Sequence, residues 1–276
     1  MAFALFRNKY FSAGAFTSVG LVRKENQDSY LCLASGGIFA VSDGMGGGEG
    51  GARASAIVVQ KLAQAALVPL KDPANVERFV HRANREIRDF ASANHLRGMG
   101  ATVVGLVLSP FDPGAGVIFS AGDSRCYRLR KKKLEQLTSD HTVAAAMGIP
   151  EEQLAGHLRG VLTNAVGCGN GFFVESHPAD LCADDVYLLC SDGVARQVPE
   201  AEIRRILGLT DVSASDRARM LVQASLRFGG ADNATAVVVT LGPLPEITDD
   251  VLAEQAACPD QPDDDEEERD VTPATE

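Results

Sequence analysis

The sequence predicts an α+β protein folded as a four-layer αββα sandwich, with two mostly antiparallel sheets each flanked by a pair of helices. Three observations predict it. Short apolar runs follow one another through connections too brief for parallel crossovers, which need a dozen residues or more. Two long segments with helical spacing, 49–68 and about 74–90, lie together early in the chain. Two more, about 199–207 and 214–228, lie together near its end. Sheets that alternate inward and outward residues need cover on both faces, and two helix pairs supply it.

The elements follow in order. FTSVGLV, SYLCLA and GGIFAVS read as strands within residues 15–42, with turn chemistry at Ser35-Gly36-Gly37 between the last two. From Glu49 the period changes: Ser55, Val59, Leu62 and Ala66 recur at helical spacing after a glycine-rich loop. Asp72-Pro73 is an N-cap followed by proline at the first helical position. Val76, Phe79, Val80, Ala83, Ile87 and Phe90 then trace one apolar face. Strands return at ATVVGLVLS, AGVIFSAG, CYRLR and LEQLTS, and the turn GDSR is expected to join the middle two as a hairpin. Residues 140–160 are less regular, with a short helix around PEEQLAG. FFVESHP and DVYLLCS are strands, the second helix pair follows, and ATAVVVTLG closes the fold.

Composition narrows the function. Residues 243–276 hold 13 acidic residues and one arginine, leaving 24 acidic and 25 basic residues in 1–242. The net charge of −11 is thus a property of the tail, and the body is nearly neutral. Prolines and the run DDDEEERD mark 243–276 as a disordered acidic tail after a folded domain over 1–242. Basic residues are scattered apart from RLRKKK, which argues against a nucleic-acid surface. Cys32, Cys126, Cys168, Cys182, Cys190 and Cys258 form no CxxC pair, so reduced thiols are expected rather than disulfides or zinc. The apolar stretch before Arg7 is too short for a signal-peptide core, and no run reaches the ~18 apolar residues of a membrane span. The expectation is a soluble, cytoplasmic protein without a membrane partner.

The chemistry gathers at four aspartates. Asp43 in FAVSDGMGGG, Asp123 in VIFSAGDSRCY, Asp192 in VYLLCSDG and Asp232 in GGADNATAVVV each stand at the end of an apolar run beside a small or turn-forming residue. Strand ends are rigid, and several can converge on one point. An oxygen-only donor set there suits Mg²⁺ or Mn²⁺, and phosphate chemistry is commonly run on such sites. RKENQDSY adds Arg23, whose planar fork suits a phosphate, and Asp28, which could support water or neighbouring ligands. Each motif has a plainer reading. VSDGMGGGEGG serves equally as a flexible loop, RKENQD as a surface charge cluster, and GDSR, CSDG and ADNAT as ordinary turns or caps.

In order and content together, RKENQD, VSDGMGG, GMGAT, GDSRCY, LTSDHT, LTNAVG, LLCSDG and ADNAT resemble the type-2C metal-dependent protein Ser/Thr phosphatases, the PPM family, in its bacterial form. The resemblance spans about residues 15–241 and implies the same layered sandwich. It implies that Asp43 bridges two metals, with Gly44 adding its carbonyl, and that Asp192 and Asp232 complete the first. It implies that Asp28 acts largely through bound water and that Asp123, with Asp192, holds a third, weaker ion. Arg23 matches the phosphate-binding arginine. The implied reaction is hydrolysis of phosphoserine and phosphothreonine in proteins by a metal-activated bridging water, with two or three Mn²⁺ or Mg²⁺ ions. The implied partners are phosphoproteins and an opposing Ser/Thr kinase, and a monomer is expected. Met45 departs from the eukaryotic pattern, which has a histidine there as a proposed general acid. Methionine cannot donate a proton, so metal-bound water or another residue must, and His157 is the nearby candidate. Asp140 and His141 match a paired motif to which the sequence gives no role. A small regulatory phosphoprotein is a second substrate class on this fold, and a catalytically inactive phosphoprotein-binding module is the competing function. That module would be expected to have lost ligands, whereas all five aspartates remain.

Overall fold

A computed structural model describes residues 10–46, 49–67, 72–169 and 171–257. In chain order it places β1 (Phe11–Ser18), β2 (Asp28–Leu33), β3 (Ile38–Met45), α1 (Glu49–Ala65), α2 (Glu77–Ala93), β4 (Gly100–Ala101), β5 (Val103–Leu108), β6 (Ala115–Ala121), β7 (Arg125–Arg130) and β8 (Lys133–Gln136). There follow α3 (Val143–Met147), β9 (Glu175–Asp180), β10 (Val186–Cys190), α4 (Asp192–Ala195), α5 (Glu200–Leu207), α6 (Ala214–Arg227), β11 (Ala234–Leu241) and α7 (Asp249–Ala257).

The strands form two antiparallel sheets, ordered β1-β11-β10-β7-β8 and β2-β3-β5-β6-β9, with β4 added beside the end of β3. Strand alternation divides the side chains between layers. Phe39, Val104, Leu106, Tyr187, Leu189, Val237 and Val239 face the other sheet. Their sequence neighbours turn outward. Ile38, Ala40, Val103 and Val107 meet Ile57, Leu62, Val80 and Ile87 of α1 and α2. Leu188, Ala236 and Val238 meet Ile203, Leu221 and Val222 of α5 and α6. The four-layer αββα sandwich is therefore as the sequence indicates. The caps are local. Asp72 accepts the Ala74 N–H at 2.9 Å ahead of α2, and Ser213 accepts the Asp216 N–H at 3.0 Å to start α6. Among the described residues no helix is long and apolar enough to cross a membrane.

Three expectations are corrected. GDSR joins no hairpin: β6 already pairs with β5 and β9, and β7 with β10 and β8, so the turn carries the chain from one sheet to the other. The strand expected over FTSVGLV runs earlier and stops at Ser18. Leu21 instead donates its N–H to the Gly230 carbonyl at 2.8 Å, pinning a loop whose Leu21 and Val22 are exposed. Finally, the acidic segment expected to be disordered from residue 243 carries α7, whose Val251 is buried in the inter-sheet core with Leu244 packed against it. With one buried apolar residue the helix has no amphipathic stripe to read. Residues 258–276, including Cys258 and DDDEEERD, lie outside the described residues.

Candidate metal centre and phosphate site

Asp43 follows Phe39 and Val41 at two-residue intervals on β3, so it points into the layer between the sheets, where that layer opens to solvent. Asp28 is its register partner on β2, which sets the two carboxylates side by side on one face. From the facing sheet come Asp192, two residues beyond the buried end of β10, and Asp232, just ahead of the neighbouring β11. Asp123 arrives on the crossing between sheets that replaces the expected hairpin. Arg23, Asp43, Gly44, Asp123, Asp192 and Asp232 all line one cavity of about 900 Å³, whose other wall is the 160–165 segment. Asp28 lies beneath it, buried. Sequence reasoning thus chose residues that the fold does bring together.

Main-chain contacts fix the floor. Thr102 donates its N–H to the Asp43 carbonyl at 2.8 Å, and its hydroxyl accepts the Asp43 N–H at 3.0 Å. That hydroxyl also meets Ser124 Oγ at 2.7 Å, linking the Asp43 strand to the Asp123 crossing. Gly44 packs so closely that a Cβ there would fall 2.0 Å from the Gly51 carbonyl oxygen, which leaves room for glycine alone. Asn233 ties down the loop that carries Arg23. Its side-chain amide donates to the Val19 and Glu25 carbonyls, each at 2.9 Å, and its Oδ1 accepts the Gln27 N–H at 2.8 Å. Thr102 and the reach of Asn233 went unread in the sequence. The only trace of them is their place in GMGAT and ADNAT.

The paired motif at 140–141 gains a role from the geometry. Asp140 grips Arg125 through two oxygens, at 2.9 and 2.7 Å, while His141 Nδ1 accepts the Gly122 N–H at 3.1 Å. Together they brace the chain on both sides of Asp123. His157 is exposed and lies outside the cavity lining, so its candidacy as proton donor is withdrawn.

The electrostatics are those of crowded carboxylates. Burial, followed by repulsion from Asp28, Asp192, Asp123 and Asp232, pushes Asp43 well above the usual carboxylate range. Burial raises Asp28 to about 6, although its Oδ2 accepts hydroxyl hydrogen bonds from Thr235 at 2.7 Å and Ser191 at 2.8 Å. Burial and then Asp192 raise Asp123 to about 6, against the pull of Arg196. Burial also raises Asp192. Asp28 Oδ1 and Asp192 Oδ1 are buried without a hydrogen-bond partner. Unpaired buried oxygens are costly unless a cation serves them, and the donors are all oxygen, so the set fits a hard divalent ion. The carboxylates ring the cavity rather than closing on one point: among the described residues no three acidic, imidazole or thiol groups form a ready cage. Arginines engage three of them, Arg23 with Asp232 at 2.6 Å, and Arg196 with Asp123 at 2.5 Å and with Asp192 at 3.6 Å.

Comparison with known proteins finds relatives over most of the chain. The sequence profile of the protein phosphatase 2C family matches residues 22–227. Serine/threonine phosphatase stp of Listeria innocua is 31% identical over 244 residues, covering 81% of this chain and 93% of that protein. Protein phosphatase PhpP of Streptococcus pneumoniae is 32% identical over 238 residues, covering 82% and 95%. The crystal structure of the Mycobacterium tuberculosis serine/threonine phosphatase PstP/Ppp superposes with a TM-score of 0.76 at 30% identity, covering 84% of this chain and 99% of that one. A structure of the PstP catalytic domain in complex with two manganese ions superposes at 0.72 with 29% identity, covering 84% and 98%.

Proposed function

Because the chain belongs to the protein phosphatase 2C family and is thereby a serine/threonine protein phosphatase, we propose that its acidic cavity removes phosphate from phosphoserine and phosphothreonine of other proteins with divalent cations as cofactors. The observation that carries this is the convergence of Asp43, Asp192 and Asp232 on one cavity with Arg23 at its edge. Asp43, the Gly44 carbonyl, Asp192 and Asp232 would hold Mn²⁺ or Mg²⁺, with Asp28 in support from below. When bound, such ions polarise phosphoryl oxygens and lower the pKa of water toward neutrality.

The chain's own residues divide the remaining work. Arg23 is more than half exposed, so its guanidinium can leave Asp232 and take a phosphate through two parallel N–H bonds. Ser191 is buried and gives its hydroxyl to Asp28, which holds the carboxylate in place and leaves the serine no freedom to act as a nucleophile. Burial pushes the Cys190 thiol up to about 12, so it stays protonated and unreactive. With Met45 at the rim, no side chain of the DGM motif donates a proton to the leaving oxygen. Water reached through the open cavity supplies it. Phosphorylated proteins are the partners, with a Ser/Thr kinase opposing the reaction, and the enzyme works as a cytoplasmic monomer. Hydrolysis of p-nitrophenyl phosphate with and without Mn²⁺ tests the reading. Turnover that needs the metal is expected. Specific binding of a phosphopeptide without any turnover would make the protein a binding module instead.

A further inference from the structure

We infer that Arg196 is a built-in cation at the Asp123–Asp192 end of the cavity, excluding a metal ion from Asp123 and tethering the 151–165 wall to the cavity floor. The inference deepens the metal-dependent reading of the same cavity and rests on it.

One guanidinium meets three carboxylates from three separate stretches of chain. Nη2 lies 2.5 Å from Asp123 Oδ2, Nη1 lies 3.3 Å from Glu151 Oε1, and Nε lies 3.6 Å from Asp192 Oδ2. Asp123 belongs to the crossing between sheets, Asp192 begins α4, and Glu151 opens the wall segment. Arg196 reaches them because it stands one helical turn beyond Asp192, which places both side chains on the same side. Arginine is a permanent charge with donors in a fixed plane, so it can neutralise two neighbouring acids without a coordination sphere.

The carboxylates are not equivalent as a result. Asp28 and Asp192 each keep a buried oxygen without a hydrogen-bond partner. Asp123 is nearly inaccessible, with 7% of its side chain exposed, and its Oδ2 is already committed to a guanidinium N–H. A divalent ion at Asp123 would have to displace that donor and would stand against a positive group with no other neutralising partner in reach except Asp192 and Glu151. Arginine and metal are therefore alternatives at this end of the cavity, and the working enzyme has the arginine.

The same contact has a mechanical side. Arg159 donates to the Glu152 carbonyl at 2.8 Å and the Leu154 carbonyl at 3.2 Å, so the 151–159 stretch is tied within itself. Holding Glu151 therefore holds the stretch, and with it the adjoining Gly160–Ala165 wall of the cavity. Arg196 couples the carboxylate floor to the segment that shapes access for substrate.

The test counts Mn²⁺ bound to the full chain by titration calorimetry, in wild type, Asp123→Asn, Arg196→Gln and the double variant. Wild type and Asp123→Asn should bind the same number of ions with affinities within about twofold. Arg196→Gln should gain one weaker ion, which the double variant should lose. Loss of an ion from the wild-type count on Asp123→Asn would overturn the exclusion of metal, and that comparison stands even where Arg196→Gln fails to fold. The tether is read separately, by the rate of trypsin cleavage after the exposed Arg159 in metal-free protein. Glu151→Gln, which leaves the floor intact, should speed cleavage about tenfold by releasing the wall, and an unchanged rate would overturn the tether. Wild-type protein that binds no Mn²⁺ would overturn the metal-dependent reading itself, a result distinct from either of these.

Discussion

Asp28 and Asp232 show how differently two carboxylates of one site are used. Asp28 is buried, with one oxygen held by Ser191 and Thr235 and the other unpaired, so its position is fixed by the two sheets together. Asp232 is a third exposed and shares one oxygen with Arg23, while its other oxygen accepts the Asn233 N–H at 2.8 Å. In the proposed reaction Arg23 would serve two acceptors in turn, Asp232 and the incoming phosphate. A phosphate contact made before and during reaction is uniform binding, and its loss appears in KM rather than kcat. For Arg23→Ala, KM for a phosphothreonine peptide should rise about tenfold or more, the worth of a charge-assisted hydrogen bond. Mn²⁺ affinity should not weaken, because the change frees Asp232. Steady-state kinetics with a parallel metal titration checks both. A large loss of metal affinity would place Arg23 among the groups that hold the metal.

At the scale of elements, the site exists because two sheets end at the same place. β10 and β11 are neighbours, and the turn after the first packs on the approach to the second. A Cβ on Gly193 would fall 1.9 Å from the Asn233 carbonyl oxygen, so this contact of backbone on backbone requires glycine. Gly193→Ala should push Asp192 and Asp232 apart and cost about 3 kcal/mol or more, lowering the melting temperature by on the order of 10 °C. A wild-type melting curve by calorimetry would show that the contact is soft. Much of this was legible in the sequence. Alternating apolar runs gave the strands, and helical spacing gave both outer pairs, because those patterns are set by burial on one face. DG, GDSR and ADN marked the strand ends, because short polar residues and glycine mark where pairing stops. What stayed hidden depends on partners far away in sequence. GDSR has the composition of a hairpin turn, and only the full pairing of β6 and β7 elsewhere makes it a crossing. Thr102 and Asn233 are small polar residues whose reach is set by tertiary contact. Arg196 lies outside every motif, and its three carboxylate partners come together only in the fold.

At the scale of the molecule, three apolar layers set by the alternation of two sheets hold one polar opening. The boundary of the folded body lies beyond the proline-rich start of the acidic segment, since α7 closes the inter-sheet layer beside Tyr10 and Phe11. Removing residues 258–276 should leave the melting temperature unchanged. Removing 243–276 should lower it by on the order of 5 °C, since burying Val251 and part of Leu244 is worth about 2 kcal/mol or more. Equal melting temperatures for the two truncations would mean that α7 contributes nothing to the core.

The central claim is that this cavity hydrolyses phosphoprotein substrates through cations held by its aspartates. It is tested most directly by titrating Mn²⁺ into metal-stripped protein while following phosphate release from a phosphothreonine peptide, with wild type and Asp43→Asn side by side. Wild type should be inactive without metal and recover with saturation, while Asp43→Asn should stay about 10²-fold or more below it at every concentration. Full wild-type activity in the presence of EDTA, or Asp43→Asn turning over at the wild-type rate, would contradict the account.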